Sequence, residues 1–154
     1  FRQMAWANNR VFTKLSELPE EALSFSAWNP EWTVGKIANH IVIAQGRFIS
    51  RLQKEDPYPE SEFPLTSAGM RELAAKSAEN DKKLATFIDR PDEMLTFVRY
   101  GETVSYLTSS VLAQIINHGT EHRAQIADIL AVNNMDVINL DDLDFWSFER
   151  FERA

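Results

Sequence analysis

Cysteine is absent from this chain of 154 residues, and its absence narrows the available chemistry. A chain without thiols forms no disulfides, iron–sulfur clusters or thiolate zinc sites, and it has no catalytic cysteine. Histidine, carboxylate and water remain as metal ligands. Any thiol chemistry would therefore need a thiol carried by another molecule.

Two further features are missing: a long apolar run and an excess of positive charge. No apolar run approaches the ~20 residues that span a bilayer, and the opening FRQMAWANNR does not resemble a signal peptide. We therefore expect a cytoplasmic protein without a membrane partner, although a chain that begins at Phe1 leaves an upstream segment open. The formal net charge is −7, with lysine and arginine scattered among acids. Nucleic-acid binding needs clustered basic residues and is not expected.

The apolar residues indicate a helical protein. Hydrophobic residues make up 44% of the chain, enough for one domain with a substantial core. Apolar residues recur every three or four positions over about 1–18, 33–52, 66–88 and 108–132. Pro19 ends the first of these segments, and Thr33 is a suitable N-cap for the second.

Two shorter segments complete the predicted fold. Residues 94–107 carry β-branched and aromatic side chains on both sides of Gly101, which predicts a short hairpin or an irregular extended pair. The tail after about residue 139 is predicted to dock as a short helix. We therefore predict an all-α fold, a four-helix bundle forming one domain over residues 1–154, with a short extended or hairpin insertion before the last long helix.

The three histidines carry the strongest functional signal. His118 and His122 are four residues apart on the fourth helix, so their side chains lie on one face and can share a metal ion. His40 lies beside the apolar stripe of the second helix and would supply a third ligand. Three histidines form an open, catalytic type of metal site. A single core-facing histidine is more often a hydrogen-bonded core residue, and that alternative stays open for His40.

Nearby residues suggest further roles. Gln125 follows His122 by three residues, so its amide could orient a histidine or contact a ligand; a partly exposed helix residue is the alternative. Glu121 borders the same face and is a weak candidate for a catalytic base. Gly119 directly follows His118, so the His-Glu-x-x-His motif of zinc peptidases is not present. The loop aromatics would either line a pocket mouth or cover the helices, and they are Trp28, Trp32, Tyr58 and Phe63.

Taken together, these residues resemble the DinB/YfiT-like superfamily of metal-binding four-helix bundles. The matching segments, in chain order, are Trp6-Ala7-Asn8, TVGKIANH ending at His40, HGTEHRAQ beginning at His118, and Leu143-Asp144-Phe145. Ala124 stands where relatives commonly have glycine.

The resemblance implies a nickel or zinc ion held by His40, His118 and His122, with water completing its shell. Characterised relatives include S-transferases that use bacillithiol- or mycothiol-type thiols and a maleylpyruvate isomerase, and homodimers are frequent among them. We therefore expect a metal-dependent enzyme acting on a small molecule, either an S-transferase with a low-molecular-weight thiol cosubstrate or a hydrolase. The alternative is a non-catalytic metal-binding module for binding or stress response.

Overall fold

The computed structural model describes residues 1–55 and 58–154, so Asp56 and Pro57 of the predicted acidic loop lie outside the described residues. Within them the chain is mostly helical, as predicted, with five α-helices and one two-stranded antiparallel sheet. The elements in chain order are α1 (Arg2–Glu17), α2 (Val34–Gln53), α3 (Ser67–Ala85), β1 (Met94–Arg99), β2 (Glu102–Leu107), α4 (Thr108–Val132) and α5 (Phe145–Arg153). None of the described helices is long and apolar enough to cross a bilayer.

Side-chain caps explain where the middle helices begin. The Thr33 hydroxyl oxygen accepts a hydrogen bond from the Lys36 amide at 3.3 Å, as predicted for the start of α2. The Thr66 hydroxyl oxygen does the same for the Gly69 amide of α3 at 3.0 Å. Each cap satisfies one of the amides that a helix N-terminus leaves unpaired.

The third helix ends at Ala85, three residues before its predicted end at Ile88. From Thr86 onwards the backbone amides bond to carbonyls three residues back, including Phe87 to Leu84 at 3.0 Å and Ile88 to Ala85 at 3.4 Å. These tighter i to i−3 bonds close the helix in a turn. Apolar spacing alone does not separate such a turn from another α-helical one.

The predicted hairpin is present and packs on both α2 and α4. Strand β1 contacts α2 while β2 contacts α4. The turn places Tyr100 and Gly101 at positive φ, 52° and 83°, which suits a two-residue hairpin connection. Leu95 is buried, so the alternation of a strand puts Phe97 on the same, inward face.

The four long helices contact one another in a closed ring. Helix α1 packs on α3 and α4, and α2 packs on the same two helices. Two groups of buried side chains fill the interior, one including Phe12, Ile37 and Ile126, the other including Met4 and Ile115. The packing of α2 on α4 brings His40 opposite the histidine pair.

The C-terminal tail packs against the first helix. After a 3-10 turn at Leu140–Leu143, α5 places the Phe148 and Phe151 rings 5.6 and 5.9 Å from the Trp6 ring. The predicted docking of a short terminal helix is therefore observed at one edge of α1.

Candidate metal centre

His40, His118 and His122 come together between α2 and α4. One ring nitrogen from each lies within 4.8 Å of the other two, and all three side chains are half-buried. The Nε2 atoms of His40 and His118 are 3.1 Å apart, and those of His122 and His118 are 3.2 Å apart. The predicted convergence of the pair on α4 with the single histidine of α2 is therefore observed.

Hydrogen bonds among the three rings satisfy these nitrogens poorly. An imidazole nitrogen that carries a proton donates, and one without a proton accepts, but neither does both. The Nε2 atom of His118 faces two other Nε2 atoms, so it would have to share one proton or one lone pair between them. A cation at the centre would instead accept a lone pair from each nitrogen.

The nitrogen spacing also fits a metal. Two histidine nitrogens on a tetrahedral zinc ion, at Zn–N distances of 2.0–2.1 Å, lie about 3.3–3.4 Å apart. The measured separations of 3.1 and 3.2 Å are close to that value. Imidazole suits zinc, nickel, copper and iron, so the donor set does not select one of these metals.

Gln125 and Trp32 determine which nitrogen of His122 carries the proton. The Trp32 indole can only donate, and its Nε1 lies 3.3 Å from Gln125 Oε1. The same oxygen lies 2.7 Å from His122 Nδ1, which must therefore be the protonated nitrogen. The lone pair of His122 is then on Nε2, where it faces the other two histidines. The Gln125 side chain therefore lies beside His122, as its spacing predicts, and its orienting role stays a prediction.

Burial keeps two of the histidines in the neutral form that binds metals. Burial, followed by the charges of His122 and His40, lowers the pKa of His118 to about 4. Burial also lowers the pKa of His40, with the charge of His122 as the next cause. Both imidazoles therefore present unprotonated nitrogens at neutral pH.

A cavity of about 690 Å³ opens beside the histidines. His40 and His118 lie in its wall, and Ala44 provides a small side chain between α2 and the open space. The hairpin contributes aromatic side chains, including Phe97 and Tyr106, to the same wall. A small molecule in this cavity would therefore reach the histidine cluster.

Comparison with known proteins places this chain in a family. The profile of the DinB family matches residues 1–133, most of the chain. The chain belongs to the DinB family. The crystal structure of a DinB-like protein from Bacillus cereus is similar in fold, with a TM-score of 0.55 and 23% sequence identity over 87% of this chain and 91% of that one. No match was found among curated proteins.

The structure assigns a role to two segments of the DinB-like pattern. Arg123, next to His122, is buried, and its Nη1 donates to Asn8 Oδ1 of α1 at 2.6 Å. Its Nη2 donates to the Thr120 hydroxyl at 3.0 Å. Burial lowers the pKa of Arg123 to about 10. The Trp6-Ala7-Asn8 and HRAQ segments therefore meet, and they hold α4 against α1 beneath the histidines.

Other residues predicted from the sequence fall inside and outside the centre. Trp32 lies against it, with its ring 5.1 Å from that of His40 and 5.8 Å from that of His122. Glu121 is exposed and does not belong to the described group of residues that could hold a metal. Trp28 is also exposed.

At Gly119 an added Cβ would lie 3.1 Å from Arg123 Nη1, so the glycine leaves room for that guanidinium.

Three arginines of the cavity wall were not predicted from the sequence: Arg47, Arg51 and Arg99. A signal existed for the first two. They follow His40 by seven and eleven residues, which places all three on one face of α2. No local pattern connects Arg99 to the histidines, because it reaches them only through the folded hairpin.

Substitution of Gln125 tests how His122 is oriented. We expect Gln125→Leu to weaken zinc binding by about 10–100-fold, since the proton on His122 Nδ1 would lose its acceptor. Gln125→Glu keeps an acceptor oxygen and should stay near the wild-type affinity. Competition with a chromophoric chelator measures both. Equal affinities of the wild type and Gln125→Leu would contradict the orienting role.

Proposed function

We propose that His40, His118 and His122 hold one divalent ion, zinc or nickel, and that this DinB-family protein uses it to catalyse a reaction of a small molecule. The observation that carries the proposal is the convergence of three imidazole nitrogens at the wall of a cavity large enough for a substrate. Sites of about 300–1,000 Å³ are typical for small-molecule ligands.

The ligand set supports catalysis over a purely structural role. Structural zinc sites have four protein ligands, whereas catalytic ones keep a position for water or substrate. Among residues 1–55 and 58–154, the potential ligand group contains the three histidines and no carboxylate. A divalent ion bound there would act as a Lewis acid and lower the pKa of a coordinated water or thiol.

In this proposal the chain's own residues bind the ion, orient His122, limit the access of water and hold the substrate. The histidines hold the ion, and Gln125 keeps His122 in the required tautomer. The Trp32 and Phe48 rings lie against His40 and His118 and limit the access of water. The cavity holds the substrate beside them. In this proposal the nucleophile comes from outside the protein.

Two reactions fit that requirement, S-transfer and hydrolysis. The chain has no cysteine, so the attacking sulfur of an S-transferase would come from a low-molecular-weight thiol. Its sulfur would form a bond to an electrophilic carbon, the leaving group would depart with its electron pair, and the thiol proton would pass to solvent. In a hydrolase water would take the place of the thiol.

We also propose that the helices form a four-helix bundle and that the chain is one domain. The closed ring of contacts among α1, α2, α3 and α4 supports a four-helix bundle, and the packing of α5 on Trp6 supports one domain over residues 1–154. By resemblance to relatives we include a homodimer.

A panel assay tests the catalytic proposal. Low-molecular-weight thiols paired with alkyl electrophiles, and esters or amides without thiol, would be incubated with zinc-loaded, nickel-loaded and chelator-treated protein. We expect turnover with metal and its loss, by at least about tenfold, on chelation. No metal-dependent turnover across the panel would favour the non-catalytic binding module.

Circular dichroism of the same samples is the control. The chelated protein should keep its helical spectrum, because the two buried apolar groups stabilise the fold without the ion. Unfolding on chelation would indicate a structural metal and contradict the proposal.

A further inference from the structure

The cavity beside the histidines concentrates positive charge in an acidic protein. The chain has 16 lysines and arginines against 23 acids, yet Arg47, Arg51 and Arg99 all line this one cavity. Among the described residues, no aspartate or glutamate is part of its wall. The local charge is thus opposite in sign to that of the whole chain.

Among the residues that the structure describes, two of these guanidinium groups have no carboxylate partner. Arg47 is paired with Glu60, its Nη2 lying 2.5 Å from the carboxylate. For Arg51 and Arg99, by contrast, no ion pair is present among residues 1–55 and 58–154. Glu102 is the cross-strand neighbour of Arg99, but the two do not form a salt bridge. Within the described part of the chain, the charges of Arg51 and Arg99 in the cavity are therefore left uncompensated.

Aromatic rings hold Arg51 in place. Its guanidinium carbon lies 4.7 Å from the centre of the Phe97 ring and 5.5 Å from that of the Phe48 ring. Stacking of this kind orients an arginine and leaves its edge donors free. Burial lowers the pKa of Arg51, and the charges of Arg99 and Arg47 lower it further. An anion placed among these groups would relieve their mutual repulsion.

We infer that this cavity selects a small organic anion, whose carboxylate or phosphate group binds Arg51 and Arg99 and whose apolar part lies against Phe48, Phe97 and Tyr106. Guanidinium groups match the planar oxygens of a carboxylate and the oxygens of a phosphate. The inference rests on the proposed metal centre, since it identifies the substrate class of that same site.

The geometry of α2 also sets the length of the ligand. His40 and Arg51 are eleven residues apart on this helix, so their Cα atoms are separated by about 16 Å along its axis. The Arg51 side chain spans part of that distance. A ligand on the order of 10 Å long would therefore place its reactive end at the histidines and its anionic end at the arginines.

Binding of 4-phenylbutyrate, phenyl phosphate and the neutral amide 4-phenylbutyramide tests the inference. Titration calorimetry at low salt would use chelator-treated protein, so that the metal itself cannot bind the anion. We expect one or both anions to bind at least tenfold more tightly than the amide, and the tighter anion distinguishes carboxylate from phosphate. The double variant Arg51→Gln/Arg99→Gln should lose at least tenfold in affinity for it.

Two single variants complete the test, one as a control and one in place of the double variant. Arg90 stacks on Phe87 at 4.1 Å outside the cavity, so Arg90→Gln matches the change at Arg51 and should leave anion binding unchanged. Arg99→Glu, at an exposed position, tests the charge on the hairpin if the double variant does not fold, and it too should weaken binding at least tenfold. Equal binding of amide and anions, or wild-type affinity in folded arginine variants, would overturn the inference.

Zinc binding by the same samples separates the two proposals. If the wild-type protein binds no zinc but still binds the anions more tightly than the amide, the metal centre is contradicted and the arginine site is supported. Normal zinc binding without anion selectivity would contradict the arginine site alone.

Discussion

His118→Ala is expected to reduce the metal content of the purified protein from about one ion per chain to a small fraction of one. In the proposed centre His118 would be the central ligand, because its Nε2 atom lies 3.1 Å from that of His40 and 3.2 Å from that of His122. Its removal leaves two imidazoles, too few for a stable site. We expect affinity to fall by more than the roughly 10–100-fold that loss of a partner outside the ligand shell costs. Elemental analysis after dialysis against a weak chelator measures the content.

The matched control is Gln114→Ala. Gln114 lies one helical turn before His118 on α4 and lines the same cavity, but it has no place in the histidine cluster. This variant should keep about one ion per chain. If His118→Ala also kept its ion, the three-histidine assignment would be wrong.

Asp81→Asn is expected to change how the stability of the protein depends on pH. Burial raises the pKa of Asp81 from 3.8 to about 7, although hydrogen bonding from Gln45 and the charge of Arg123 act in the opposite direction. The Gln45 amide donates to Asp81 Oδ1 at 2.7 Å. The folded protein therefore keeps a proton on Asp81 that the unfolded chain releases.

The direction in which the free energy of unfolding changes with pH follows from that proton. Between about pH 4 and pH 7 the unfolded chain binds fewer protons at Asp81, so the wild-type free energy of unfolding falls as pH rises, by up to about 1.4 kcal/mol per pH unit from this group. The asparagine that replaces Asp81 in the variant does not titrate. The stability of Asp81→Asn relative to wild type should therefore increase from about pH 4 to pH 7 and level off above. Urea unfolding across this range measures the difference.

Asp92→Asn provides a control of opposite sign. Hydrogen bonds from the Ser109 amide, at 2.9 Å, and the Ser109 hydroxyl, at 2.7 Å, lower the pKa of Asp92. Its ionised form stabilises the fold above the unfolded pKa, and that contribution is lost as pH falls. Asp92→Asn should thus be less stable than wild type at neutral pH, with the gap closing in acid. A flat difference for Asp81→Asn would contradict a raised pKa.

Local order along the chain was predictable from sequence because its causes are local. Apolar spacing of three and four residues defines the long helices, Thr33 caps α2, and the residues around Gly101 form a hairpin. The same helical period places His118 and His122 on one face. Where a local signal was ambiguous, as at the end of α3, the predicted boundary differs by three residues.

The sequence by itself thus determined which side chains could meet along one helix, namely the histidine pair and Gln125 beside it. Only the tertiary structure decided what crosses between elements. The convergence of three Nε2 atoms depends on α2 packing against α4, Arg99 reaches the cavity through the hairpin, and the pKa of Asp81 is raised because neighbouring helices bury its carboxyl group. Desolvation and approach between distant segments depend on the whole packed core, and no periodicity within one segment encodes them.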